Sequence, residues 1–272
     1  MFRLPTSIDR SWLISLVALS VLVAVSTASG CVEIEPDPPL DDEGEPLALP
    51  GPHDRWLEVT SISPSGKDLA LSPRVAVTFN DYIDDDSFRS YTFASLTSGG
   101  LSASGFADYV MTDKTVIWRP YGELEPDFLY TFGISEEIVS ATGSPLLLPA
   151  EWPTYVTRED AEQPAFAELP DARFDEVEPI FEAHCVECHR DEDSGLNPLT
   201  YDSLMGTRST QTSLYLVRPG DPADSYLMRK LLWDYPDIEF THQPPPWVDG
   251  AKELAREDLL TIEGWIASGA GQ

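Results

Sequence analysis

The clearest folding signal in this sequence is the run Arg74-Val75-Ala76-Val77-Thr78-Phe79. Its larger apolar residues occupy every second position, and successive side chains of a β-strand point to opposite faces of the sheet. One face of this segment is therefore expected to be buried and the other to be more open to water. The run predicts a half-buried β-strand.

Other β-type runs surround this segment at short intervals. Residues 63–66, 80–81 and 98–100 contain the Pro, Gly, Asn, Asp and Ser residues that are typical of turns. Between and after these turns, the sequence predicts further strands over residues 56–62, 91–96, 107–111, 115–118 and 128–134. Many short strands separated by turns indicate a β-sandwich, here over residues 56–157.

Two groups of segments also resemble a known family. Residues 61–64 and 71–79 resemble the opening strands of the bacterial Ig-like domains that are appended to many surface proteins. Residues 115–120, 124–126 and 130–132 are similar to the later strands of that family. The resemblance implies an Ig-like β-sandwich. Because no functional site is predicted in this region, the domain is expected to be a spacer or a docking surface.

The β-rich region contains one acidic turn that is a candidate cation site. Asp81, Asp84, Asp85 and Asp86 supply oxygen ligands of the kind that Ca²⁺ prefers. Their spacing does not match an EF-hand loop, so a solvated acidic turn is the favoured interpretation. His53 has no candidate partner nearby in the sequence, and no functional site is predicted in this region.

A second and more specific pattern lies at residues 185–189, which read Cys-Val-Glu-Cys-His. Covalent attachment of a haem requires two thiols that meet its two vinyl groups and an imidazole that binds the iron. The C-x-x-C-H pattern supplies all three within five residues. The motif therefore predicts one covalently bound haem c, held by Cys185, Cys188 and His189.

The alternatives are a C-x-x-C disulfide, half of a zinc site, or chance. A zinc site would need two more thiolate or imidazole ligands at close spacing, and the chain contains only three cysteines, of which Cys31 is the third. A thioredoxin-like pair would need a βαβ context, which is not visible here.

Helical patterns flank the motif on both sides. Apolar residues at 174, 177, 180 and 181 share one helical face, with a late start or a kink expected at Pro179. A short helix is predicted over residues 225–232. A last helix is predicted from the apolar stripe at 259, 262, 265 and 266, with Gly269 as its stop.

These segments together resemble a monohaem cytochrome c domain, of the variant fused to large envelope proteins in environmental bacteria. The resemblance covers residues 174–189, 219–232 and 259–270. It implies an all-α domain over residues 173–272, in which the first and last helices cross and close over the haem. The predicted fold class is therefore an Ig-like β-sandwich followed by an all-α cytochrome c domain.

The chain departs from that family at the second axial ligand. The family usually has a Met-Pro-Pro segment before the last helix, and here Gln243 stands where the methionine would fall. His242 is the favoured distal ligand, with Met228 as the second choice and an open or water-bound iron as the third. The alternative is that His242 is a solvent-facing loop residue that binds no iron.

The N-terminus has the features of an export signal. Arg3 and Arg10 precede the apolar run 12–25, which is shorter than the roughly 20 residues that a membrane span needs. Residues 28–31 resemble a bacterial lipobox, which implies removal of residues 1–30, acylation of Cys31 and anchoring in a lipid bilayer. Val32, which follows Cys31, is not an obvious inner-membrane retention residue, so the outer membrane is favoured. An ordinary cleaved signal with an unrelated cysteine is the alternative.

Two segments have the composition of linkers. Residues 32–50 hold seven acidic residues, five prolines and no basic residue, so residues 31–55 are predicted to be an extended tether. Residues 158–172 are predicted to link the Ig-like sandwich to the cytochrome c domain.

The overall charge excludes one class of partner. The chain has 47 acidic and 17 basic residues and a net charge of −30. Binding to nucleic acid would need clustered Lys and Arg, so no nucleic-acid partner is expected.

The favoured function is electron transfer to an unknown redox partner protein in the cell envelope, facing the periplasm or the cell exterior. The chain is thus expected to be an electron carrier rather than a catalyst. One alternative is a peroxidase-like or gas-binding haem module with an open sixth iron site. The other is an adhesion or assembly module in which the haem is ancillary.

Overall fold

The computed structural model of the chain describes residues 56–149, 151–166, 168–189, 199–236, 242–245 and 252–272. The predicted signal peptide, Cys31, the acidic tether and His53 lie outside these residues. No helix within the described ranges is long and apolar enough to cross a membrane.

Residues 57–157 form a nine-stranded, mostly antiparallel sheet with the strand order β2-β9-β7-β4-β5-β6-β3-β1-β8. Only the two end pairs, β1 with β8 and β2 with β9, are parallel. The strands are β1 (Leu57–Ser63), β2 (Asp68–Leu69), β3 (Val75–Phe79), β4 (Ala94–Ser98), β5 (Leu101–Val110), β6 (Thr115–Pro120), β7 (Leu129–Ile134), β8 (Leu146–Leu147) and β9 (Thr154–Thr157).

The long strand β5 joins the two halves of the sheet. Its residues 101–104 pair with β4, and its residues 105–110 pair with β6. The rings of Trp118 on β6 and Phe132 on β7 contact each other at 5.9 Å between centroids. The two halves therefore enclose one apolar core, which also contains Leu57, Val75, Val77, Leu96 and Tyr155.

The predicted turn at 98–100 is confirmed. Gly99 and Gly100 form the two-residue loop between β4 and β5, with φ values of 55° and 86°. Positive φ at both central residues is the geometry that a tight hairpin requires, and glycine adopts it without steric cost.

Strand β3 is more deeply buried than its alternation predicted. Val75, Val77 and Phe79 face the core as expected, but Ala76 on the opposite face is also buried. Ala76 packs with Ile117 and with Leu260 from the last helix. The helix therefore covers the outer face at Ala76, whereas Arg74 and Thr78 on the same face are only half-buried, as expected.

The helical part, defined here as the described segments of residues 168–272, contains four helices. They are α1 (Phe174–His184), α2 (Tyr201–Leu204), α3 (Tyr226–Leu231) and α4 (Arg256–Ala267). Helix α1 begins at Phe174 and continues through Pro179, so the expected late start is wrong. The N–H of Arg173 donates to Glu176, which closes the first turn of α1.

Helices α1 and α4 pack antiparallel. The ring of Phe174, at the start of α1, lies 5.4 Å from that of Trp265 near the end of α4. At the other end, His184 Nε2 lies 3.9 Å from Asp258 Oδ2. The predicted apolar stripe of α4 is buried, and Gly269 follows the helix with a φ of 102°, as expected for a stop.

The mostly β architecture agrees with the predicted Ig-like β domain. The helical portion is small, and an all-α cytochrome c domain stays a prediction.

Candidate functional site

The five motif residues form a compact turn at the end of α1. The N–H groups of Cys185 and Val186 both donate to the carbonyl of Phe181, at 2.8 and 3.0 Å. The N–H groups of Cys188 and His189 then donate to the carbonyl of Cys185, at 3.1 and 2.9 Å. The backbone thus holds the two cysteines and the histidine within about one turn.

Both cysteines of the motif are half-buried. Cys185 packs against an apolar cluster that joins α1, α3 and α4. Burial, followed by the proximity of Cys188, raises the pKa of the Cys185 thiol to about 11. Because this value lies above neutral pH, Cys185 is an uncharged thiol under ordinary conditions.

The apolar cluster beside Cys185 draws its side chains from the whole helical part. Met228 of α3 belongs to it and is completely buried. The cluster also contains Val177, Phe181, Leu204, Leu227, Ile262, Trp265 and Ile266. A planar apolar group next to the motif would therefore find an apolar environment.

His242 lies beside the end of α3, the helix that carries Met228. Its Nε2 is 2.9 Å from the carbonyl oxygen of Tyr235. The next residue, Gln243, donates its N–H to the carbonyl of Lys230 at 2.7 Å and accepts a hydrogen bond from the Trp233 indole at 3.3 Å.

The protonation of His242 depends on this environment. The pKa of the imidazole is lowered, mainly by burial and also by the positive charge of Lys230, while the contact with Tyr235 acts in the opposite direction. A lowered pKa favours the neutral ring, which is the form that binds metal ions.

The described parts of the chain contain no group of three or more His, Cys, Asp or Glu side chains arranged to hold a metal ion. A haem iron makes a different demand, since the protein supplies only its axial ligands.

The acidic turn is less solvated than expected. Asp81 is buried and accepts a hydrogen bond from the N–H of Tyr82. Burial and the nearby charges of Asp221 and Asp224 raise the pKa of Asp85 to about 6. Asp85 therefore lies near the helical part, whereas Asp86 is exposed to water.

One buried carboxylate was not predicted from the sequence. Glu263 of α4 is fully buried, and its oxygens accept hydrogen bonds from the N–H of Met111 at 2.6 Å and from the N–H and hydroxyl of Thr112 at 3.0 and 2.6 Å. Burial raises its pKa to about 7 although these bonds act against the rise. Its position four residues after Leu259 and three before Ile266, within the apolar stripe, is a signal that could have identified it.

A second missed group connects residues 111–114 to the loop after α3. Lys114 donates to Asp234 at 2.5 Å, and the hydroxyl of Tyr82 donates to the same carboxylate. The adjacent Asp113 accepts two hydrogen bonds from Arg256 at the start of α4, at 2.7 and 2.5 Å. These partners are distant in sequence, so no local pattern reveals them.

Comparison with known families identifies the β-rich region. Residues 54–156 match the bacterial Ig-like domain family. The chain therefore contains a bacterial Ig-like domain, which confirms that part of the expectation, and the match ends before the first helix. No curated protein matches the sequence.

Several solved structures are similar to part of the chain. They include L,D-transpeptidase 1 of Mycobacterium tuberculosis, with 17% identity over 38% of this chain and 40% of that chain and a TM-score of 0.26. The N-terminal part of the bacterial S-layer protein SbsC has 17% identity over 44% and 28%, with a TM-score of 0.30. An L,D-transpeptidase from Mycobacterium smegmatis has 14% identity over 38% and 41%, with a TM-score of 0.27.

The chain spans less than half the length of each of these three structures. At such TM-scores the similarity carries no conclusion about fold or activity.

Proposed function

We propose that this chain is a membrane-anchored monohaem c-type cytochrome that transfers electrons in the cell envelope. The observation that carries the proposal is the turn at the end of α1, in which two half-buried cysteines and a histidine follow one another beside an apolar cluster. This donor set fits the attachment chemistry of haem c.

Cys185 and Cys188 would hold the porphyrin by two thioether bonds, and His189 would bind the iron from one face. The bound haem supplies an iron that accepts and releases one electron. The chain contributes the axial imidazole, a backbone turn that fixes the spacing of the three residues, and apolar side chains that exclude water.

His242 is the proposed distal ligand. It is half-buried and its lowered pKa keeps the ring neutral. Met228 is the second candidate, because it is completely buried in the cluster that contacts Cys185. The two ligands predict different potentials, since a methionine raises the potential of a His-ligated haem relative to a second imidazole.

The proposal includes acylation of Cys31 and attachment to a lipid bilayer, with the outer membrane favoured. Electrons would pass to and from a redox partner protein whose identity is open. The acidic composition of the chain suits a partner with a basic docking surface.

The test is to purify the mature protein from cells that can mature c-type cytochromes. We expect haem that survives acid-acetone extraction and a reduced visible spectrum with sharp α and β bands. Cys185→Ala and Cys188→Ser should each lose covalent haem. Cys31→Ser is the matched control, because it should release the protein from the membrane and leave the haem in place.

An EPR spectrum of the same material tests the distal ligand. A low-spin ferric signal is expected for two axial protein ligands. A high-spin signal that shifts with cyanide would instead indicate an open sixth site. Colourless protein with both thiols free would refute the proposed function.

A further inference from the structure

The Ig-like domain contacts the chain segment that leads towards His242. Tyr82 belongs to the Ig-like domain and is 1% exposed. Its ring packs on that of Tyr235 from the helical part, with 4.8 Å between centroids and planes tilted by 51°. The aromatic pair therefore links the two parts of the molecule directly.

A polar contact reinforces this pair. The neighbouring Asp234 accepts hydrogen bonds from the Tyr82 hydroxyl and from Lys114, at 2.5 Å for the latter. The ammonium group of Lys114 also lies 4.6 Å from the centre of the Tyr82 ring. Burial tends to raise the pKa of Asp234, but the hydrogen bonds from Lys114 and Tyr82 outweigh it and lower the pKa.

Tyr235 connects this contact to His242. Its ring lies on Tyr82, and its carbonyl oxygen lies 2.9 Å from His242 Nε2. The orientation of the imidazole thus depends on a residue whose own position depends on the Ig-like domain.

We infer that the Ig-like domain positions His242 through the Tyr82–Tyr235 pair and the bond between Lys114 and Asp234. This inference rests on the proposed function, in which His242 binds the haem iron. Lys114 and Tyr82 are then positioning residues, and the Ig-like domain is part of the haem site rather than only a spacer.

Residues 113 and 114 offer a matched pair of variants. Lys114→Met removes the bond to Asp234 and keeps a side chain of similar length. Asp113→Asn weakens the neighbouring contact with Arg256 of α4, which does not involve the segment after α3. Lys114→Arg retains a cation and should restore the wild-type behaviour.

The first readout needs no haem. The N–H of Gln243 donates to Lys230, so its hydrogen exchange reports how firmly residues 242–245 are held. In the full-length protein, Lys114→Met should raise the exchange rate of Gln243 by roughly one-and-a-half- to fivefold, as expected for the loss of a partly exposed ion pair. Asp113→Asn should leave that rate unchanged.

The second readout is the EPR and visible spectrum of the haem-loaded protein. Lys114→Met should add a high-spin ferric component that Asp113→Asn and Lys114→Arg lack. Unchanged exchange at Gln243 in Lys114→Met overturns the positioning role, and changed exchange with an unchanged spectrum overturns the role of His242. Failure of the proposed function is distinguishable, because the wild-type protein would then be colourless while the exchange measurement still applies.

Discussion

The Ig-like domain and the helical part differ in how their structure is maintained. In the domain, nine strands pair with one another, and the core that they enclose is made of residues 57–157 as far as the structure describes the chain. The helical part has helices of 11, 4, 6 and 12 residues. Helices of this length are marginal in isolation, so they depend on packing against one another and against the sheet.

The apolar clusters show that this dependence is unequal, although Ala76 and Ile117 on the outer face of the sheet also pack with Leu260 of α4. The main cluster of the helical part includes Tyr82 and Met111 from the Ig-like domain. In the described part of the chain, the main cluster of the domain contains no residue from the helices. We therefore expect a destabilising substitution in the sheet core to destabilise the helices as well. A destabilising substitution in the helices should leave the core of the sheet intact.

The largest expected effect comes from the two fully buried tryptophans, Trp118 on β6 and Trp265 on α4. Replacing either by alanine should lower the free energy of unfolding by about 3–5 kcal/mol. Hydrogen exchange should become faster in both parts of Trp118→Ala. In Trp265→Ala it should become faster in α1 and α4 while strands β3 and β6 stay protected. Equal loss of protection in both variants would contradict the unequal dependence.

The next effect concerns Glu263, which joins the two parts. Its pKa is about 7 in the folded protein against 4.5 in the unfolded chain, so folding favours its protonated form. The stability that this proton adds is complete below pH 4.5 and is lost as the pH rises to about 7. The difference corresponds to about 3 kcal/mol.

Urea unfolding between pH 4 and pH 8 measures this effect. The stability difference between wild type and Glu263→Gln should change over this window, because the variant cannot titrate there. Glu257→Gln, an exposed residue of the same helix, should follow the wild-type curve. A parallel pair of curves for wild type and Glu263→Gln would show that Glu263 does not titrate between these values.

The smallest of the three effects concerns the close contact between Gly264 of α4 and Pro170, which precedes α1. A Cβ atom on Gly264 would lie 2.2 Å from the carbonyl oxygen of Pro170, which is closer than atoms can approach. Gly264→Ala should therefore destabilise the protein by about 1–3 kcal/mol, although alanine favours helices. Gly271→Ala meets no neighbour and should change stability by less than about 0.5 kcal/mol. Thermal unfolding of both variants makes the comparison.

Local patterns predicted much of both parts. Alternation predicted β3, and the turn residues Gly99 and Gly100 marked the hairpin before β5. The apolar stripes predicted α1 and α4 because both helices bury one face. The C-x-x-C-H motif is equally local, so the proximal part of the candidate site is visible in the sequence.

What the sequence did not predict depends on distant partners. Strand β5 begins at Leu101 rather than at the predicted Ala107, because residues 102–105 (Ser-Ala-Ser-Gly) are small and have little β-propensity. Gly105 is required there since a Cβ would lie 2.1 Å from the carbonyl oxygen of Arg119. The contact of Glu263 with Met111 spans 152 residues, and no pattern within a helix reveals such a partner.

The helix lying over Ala76 and Ile117 has a practical consequence for dissection of the protein. The core of the Ig-like domain is formed by residues of the domain itself, but Ala76 and Ile117 on its outer surface pack against Leu260. A chain that ended at Thr157 would expose Ala76 and Ile117 to solvent, and an exposed apolar patch favours self-association. Expressing the domain alone in soluble form therefore calls for a polar residue in place of Ile117.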